Sequence, residues 1–161
     1  MVPMSMVNGM NFDYRQTEID ERYQHLLRGK IMIKSPQTAL IIHNDYEAST
    51  IASVTLSCMA NMDVFTCCTE HTNPVAIENA SADLILLDVQ ASGETDVSAQ
   101  LQKMTAKMNS PVILLVPKSQ STSIDTSRVK GFIGTIVKPL EPLLFPEQVL
   151  HFWEKKWCYA A

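Results

Sequence analysis

The chain has 161 residues, 46% of them hydrophobic and 19% charged, the balance of a folded globular protein with one main core. Lys and Arg number 13 against 17 Asp and Glu, for a net charge of −4, which excludes a basic field able to draw in nucleic acid. No apolar stretch reaches the roughly 20 residues of a membrane span. The opening MVPMSMVNGMNF lacks the basic-then-apolar order of a secretory leader, so a cytoplasmic location without membrane contact is expected.

In chain order, residues 1–35 read as an N-terminal extension with one helix. Ile19, Tyr23, Leu26 and Leu27 share a helical face among charges, and Gly29 is a stop. Such a helix packs on the domain, pairs two copies or links to an upstream module. The domain itself is expected over 36–157. Ala39-Leu40-Ile41-Ile42 is a continuous, branched run of the kind found in strands buried on both faces. Tyr46 to Ala60 follows as a helix with Ile51, Val54, Leu56 and Met59 at helical spacing. Val64 to Cys68 reads as a second strand and Asn73 to Ala80 as a short helix with Pro74 in its first turn. Leu84-Ile85-Leu86-Leu87 is the clearest strand and ends at Asp88.

Thr95 to Met108 predicts a helix with Val97, Leu101, Met104 and Met108 on one face. Val112 to Val116 is an all-apolar fourth strand. The Ser- and Thr-rich stretch 119–129 is a weak helix at best. Phe132 to Val137 gives a fifth strand stopped by Lys138-Pro139. Glu141 to Lys156 predicts a closing helix carrying Leu143, Leu144, Val149, Leu150 and Trp153.

Strands alternating with helices imply a doubly wound parallel sheet with helices on both faces. Such sheets bind ligands beyond the carboxyl ends of their strands. The places to look are therefore just after Ile42, Leu87, Val116 and Val137. Elsewhere the sequence is sparse. Cys58, Cys67, Cys68 and Cys158 show no ligand spacing and are expected to be reduced and mostly buried. The histidines form no zinc motif, and His43 reads as a rim residue. No GxGxxG, GxxxxGK[ST] or GxSxG pattern occurs.

The strand ends carry His43-Asn44-Asp45, Asp88 and Lys138-Pro139. From about Thr38 to Lys156 this pattern resembles the receiver domains of two-component response regulators. The resemblance implies a flavodoxin-like five-stranded parallel sheet in the order 2-1-3-4-5. It implies Asp88 as an acceptor of a phosphoryl group from a histidine kinase or phosphotransfer protein, hence a regulatory domain, not an enzyme. It implies Mg²⁺ held by Asn44, Asp45, Asp88 and the backbone carbonyl of Gln90, with Lys138 neutralising the phosphate. The family's Ser/Thr position falls on Val116 and its aromatic switch position on Thr135, so both switch positions are degenerate. Asn44 in place of a carboxylate implies weakened or lost Mg²⁺ binding. Homodimers would form through the N-terminal helix or through the face of the fourth helix, fifth strand and fifth helix.

The chemistry behind those roles is general. A carboxylate attacks phosphorus only when charge on the moving group is neutralised, which Mg²⁺ and a lysine ammonium supply. The alternatives are an inert buried pair between Asp88 and Lys138, a phosphorylation-independent pseudo-receiver acting as a protein-protein interaction module, and an unrelated flavodoxin-like protein binding a flavin or nucleotide. With no output domain after Trp157-Cys158-Tyr159, the reading is a single-domain regulator or a piece of a longer one.

Overall fold

The apolar runs at 39–42, 84–87 and 112–116 bury both faces and can be satisfied together only inside one covered sheet, with the runs at 64–68 and 132–137 along its edges. A computed structural model describes residues 34–68, 81–89 and 97–159 and shows that sheet. The described elements run β1 (Thr38–His43), α1 (Tyr46–Met59), β2 (Asp63–Cys68), β3 (Leu84–Asp88), α2 (Val97–Thr105), β4 (Val112–Pro117), β5 (Phe132–Lys138) and α3 (Phe145–Tyr159). All strand pairs are parallel, in the order β2-β1-β3-β4-β5, the flavodoxin-like arrangement. The expected N-terminal helix, the short helix at 73–80 and Gln90 lie outside the described residues. Ser35–Trp157 forms one compact unit, to which the following account applies.

Strand alternation divides the core. Leu40, Ile42, Ile85, Leu87, Val112, Leu114 and Val116 pack with Leu101 of α2, Met108 and Val129 on one side of the sheet. The alternate residues, including Ile41, Leu86, Ile113 and Leu115, are buried on the other side. There α3 lies over β5. Gly134 pairs with Ile113 and sits so close beneath Phe152 that an added methyl would meet the ring at 2.4 Å. Right-handed crossovers leaving the centre in opposite directions put α1 on the α3 side and α2 opposite.

Three helical expectations change. In α1 the buried face is Ala48, Ser49, Ala52, Thr55 and Leu56, while Val54 and Met59 are exposed. Alanines let the helix approach the sheet closely, so its inner face is made of small residues. The last helix begins at Phe145, not Glu141. A turn in which Glu141 O accepts from Leu144 N and Phe145 N leads into it. Leu143 and Leu144 are therefore exposed, and Phe145, Val149 and Trp153 form the buried stripe. Pro146 suits this start, because its missing N–H costs nothing in a first turn. Between β4 and β5 there are only two short 3₁₀ turns, Lys118–Gln120 and Thr126–Arg128. Among the cysteines, Cys67 is buried but Cys58 and Cys158 are exposed, and none is in a disulfide.

At the amino-terminal edge, β1 and β3 are locked by side chains. Asp83 Oδ2 accepts from the backbone N–H groups of Gln37 (2.8 Å) and Thr38 (3.2 Å). Thr38 Oγ1 in turn accepts from Asp83 N at 2.9 Å. These bonds set the register that carries Ala39 opposite Leu84 and Ile42 opposite Leu87.

The close seat of Phe152 yields a test. Gly134→Ala should lower unfolding free energy by about 1–3 kcal/mol through overpacking. Adding Phe152→Leu should recover part of that loss. Urea melts of the three chains would show it; an unchanged midpoint for Gly134→Ala would refute the contact.

Candidate functional site

Three charged side chains meet at the carboxyl rim of the sheet. Asp88 is the last residue of β3, Lys138 is the last of β5, and Asp45 is the second residue after β1. Lys138 Nζ donates to Asp88 Oδ1 at 2.5 Å and lies 3.6 Å from Asp45 Oδ2. Register explains the reach. Asp88 pairs with Leu115 and Lys138 with Pro117, so the lysine spans β4 to meet the aspartate.

Exposure is graded across the group. The Asp88 side chain is 1% exposed, that of Lys138 13% and that of Asp45 41%. The buried pair is neutral overall, and its short contact offsets part of the cost of removing both charges from water. Asp88 Oδ2 is buried and accepts no hydrogen bond among the described residues. A buried acceptor without a partner is uncommon in folded proteins.

Asp45 serves the fold as well as the rim. Its Oδ1 accepts from Glu47 N at 3.0 Å and Ala48 N at 3.2 Å, capping the first turn of α1. Its Oδ2 is the oxygen facing Lys138. Outward from the rim lies an open cleft of about 890 Å³, lined by Asn44, Asp45, Tyr46, Lys118, Lys138 and Leu140 among others. The Lys138–Pro139 peptide is cis.

The remaining expected positions are placed as follows. Asn44 lines the cleft beside Asp45. Val116 is buried in the core on the α2 side. Thr135 is half-buried and pairs with Leu114, on that same side. Gln90 lies outside the described residues. His43 stands at the strand end as the last residue of β1, but it is buried, 4% exposed, with its ring edge-on to Tyr46 at 5.2 Å. Its Nδ1 has no hydrogen-bond partner among the described residues. Lys118 is the cleft residue that the sequence reading missed. The strand-end rule already pointed just past Val116, and only the absence of a hydroxyl at that position drew attention away from the lysine two residues on.

The donor set tests whether a divalent cation fits. Among the described residues there is no cluster of three or more His, Cys, Asp or Glu side chains able to hold a metal. Two carboxylates converge on Lys138, one of them with an unpartnered buried oxygen, and the Asn44 amide lines the same cleft. Hard oxygen donors in this number suit Mg²⁺, which is commonly held by one or two carboxylates and completed by water.

Four variants follow from this geometry. Lys138→Met would leave the buried Asp88 charge without compensation and should cost about 3–5 kcal/mol, whereas Asp88→Leu combined with Lys138→Met should recover most of it. Asp45→Ala should cost about 1 kcal/mol by uncapping α1, and Asp45→Asn, which keeps an acceptor, only a few tenths. Denaturant titration of the four chains checks both.

No family model matches the chain, and no curated protein matches it. Solved structures do. NtrX from Brucella abortus matches over 79% of this chain and 29% of its own, with 18% identity and a TM-score of 0.57. The N-terminal domain of a response regulator/sensory box/GGDEF 3-domain protein from Carboxydothermus hydrogenoformans matches over 78% of this chain and 100% of its own, with 16% identity and a TM-score of 0.58. A CheY-like response regulator receiver domain protein from Methanospirillum hungatei covers 74% of this chain and 98% of its own at 14% identity and a TM-score of 0.55. With its parallel sheet in the order 2-1-3-4-5 and these neighbours, the chain has the fold of the response regulator receiver domains.

Proposed function

We propose that the chain is a signalling receiver of a two-component phosphorelay, regulatory and not enzymatic, that takes a phosphoryl group on Asp88. The single observation carrying this reading is the buried Oδ2 of Asp88, without a hydrogen-bond partner among the described residues, beside a lysine that already holds Oδ1. Oδ2 attacks phosphorus, the P–N bond of a phosphohistidine donor breaks, and the imidazole leaves with the electron pair. Lys138 keeps its hold on the acceptor and pairs with the charge that develops on the phosphoryl oxygens. Asp45, Asn44 and Asp88 would hold Mg²⁺, with the Gln90 carbonyl as a further ligand; when bound, the cation neutralises the phosphoryl charge. The donor of the phosphoryl group would be a histidine kinase or a phosphotransfer protein.

A second reading, a phosphorylation-independent interaction module, draws on Val116 and Thr135. Val116 is 1% exposed and apolar, so the end of β4 offers no hydroxyl at that position to a phosphate. Thr135 is not aromatic, so no ring swings with it.

Exposure of the purified chain to acetyl phosphate and Mg²⁺ separates the two. One phosphoryl group should be gained by intact mass, with acetate released, and Asp88→Asn should gain none. Asn44→Asp should lower the Mg²⁺ concentration needed for half-maximal loading by about tenfold, the effect of one further carboxylate near a divalent ion. No adduct on the unaltered chain would leave the interaction module as the function.

A further inference from the structure

A charge gained at Asp88 must move something if it is to signal, and position 116 carries no hydroxyl and position 135 no aromatic ring. Lys118 stands where a substitute is needed. It lines the same cleft as Asp45 and Lys138. Lys138 is committed to Asp88 and Asp45. The Lys118 ammonium makes no ion pair or hydrogen bond among the described residues, and of the charged groups lining the cleft it is the one cation left over.

Lys118 is also the first residue of the segment that joins β4 to β5. Its carbonyl accepts from Ser121 N at 3.4 Å and Ser121 Oγ at 3.0 Å, closing the first 3₁₀ turn. The rest of the segment is tied to α2 by polar contacts along one helical stripe. Asp125 N donates to Ser98 Oγ at 3.0 Å, Arg128 Nε to Gln102 Oε1 at 3.0 Å, and Lys130 N to Thr105 Oγ1 at 3.1 Å. Little apolar burial backs these bonds: Val129 is buried, Ile124 only partly. Short polar tethers with few apolar contacts describe a segment that opens at small cost.

We propose that Lys118 is the positioning residue through which charge on Asp88 reaches the 118–130 segment. This rests on the reading of Asp88 as phosphoacceptor. Loading replaces one carboxylate charge by a phosphoryl group of about −1.5 to −2 charge with three acceptor oxygens. The long stem of Lys118 lets its ammonium swing into the cleft toward those oxygens. Because Lys118 opens the segment, its first turn is displaced, and the tethers to Ser98, Gln102 and Thr105 are exchanged for another arrangement. The surface that changes on loading is then the segment over α2, with the phosphate read by an ammonium and not by a hydroxyl.

Hydrogen exchange on the full chain, with loading by acetyl phosphate and Mg²⁺ followed by intact mass on the same samples, tests this. Peptides covering 118–130 should change exchange severalfold on loading. Lys118→Ala should load yet lose that change, and Lys118→Arg should keep it, while all three chains exchange alike before loading. A loaded Lys118→Ala chain that still shows the change would overturn the proposal and leave Asp88 as acceptor standing. A Lys118→Ala chain that does not load would overturn it too, by placing the lysine in the transfer step. Absence of an adduct on the unaltered chain would remove both readings together.

Discussion

An ammonium and a carboxylate held 2.5 Å apart, with the carboxylate 1% exposed, exist only where the surrounding chain makes that contact unavoidable. Each ion loses several kcal/mol of hydration on burial, and only close geometry returns it. Here geometry comes from three adjacent parallel strands. Asp88 ends β3, Lys138 ends β5, and β4 between them fixes their separation. A slip of one residue in β5 would turn Lys138 to the other side of the sheet and strand Asp88. The apolar strands and the charged pair therefore support one another: burial makes the pair demanding, and the pair penalises every wrong register.

The rim has a simple electrostatic balance. Two carboxylates and one ammonium leave a single net negative charge, where a carboxylate at position 44 would have left two. A divalent cation at this rim would accordingly be held less tightly, and Lys138 already occupies the space between Asp45 and Asp88. The charged pair and positions 116 and 135 are kept apart in this chain. Asp88 and Lys138 stand on the α3 side of the sheet, Val116 and Thr135 on the α2 side.

The strands were legible because parallel strands buried on both faces are written as unbroken branched runs, and their ends then located Asp45, Asp88 and Lys138. What was not legible has particular causes. The inner face of α1 is mostly small or polar, Ala48, Ser49, Ala52 and Thr55 beside Leu56, and so carries little hydropathy, whereas the larger Val54 and Met59 face water. Leu143 and Leu144 read as helix because they are apolar, but they occupy the turn before Phe145. His43 ends β1 as its place in the sequence implies, but its burial is not written there: one more residue of pairing, opposite Cys68, and the ring of Tyr46 cover it. Lys118 was overlooked because a lone lysine in a polar loop has no pattern, and only the shape of the cleft shows what it borders.

The lock between Thr38 and Asp83 has a consequence for the opposite end of the molecule. It clasps β1 to β3 at their starts, about 15 Å from Asp88 by the rise of a five-residue strand. From there to the rim the two strands stay paired residue by residue, Ala39 opposite Leu84 through Ile42 opposite Leu87. The alignment fixed at Thr38 and Asp83 is thus handed along the ladder and decides which residues of the two strands arrive together at the far end.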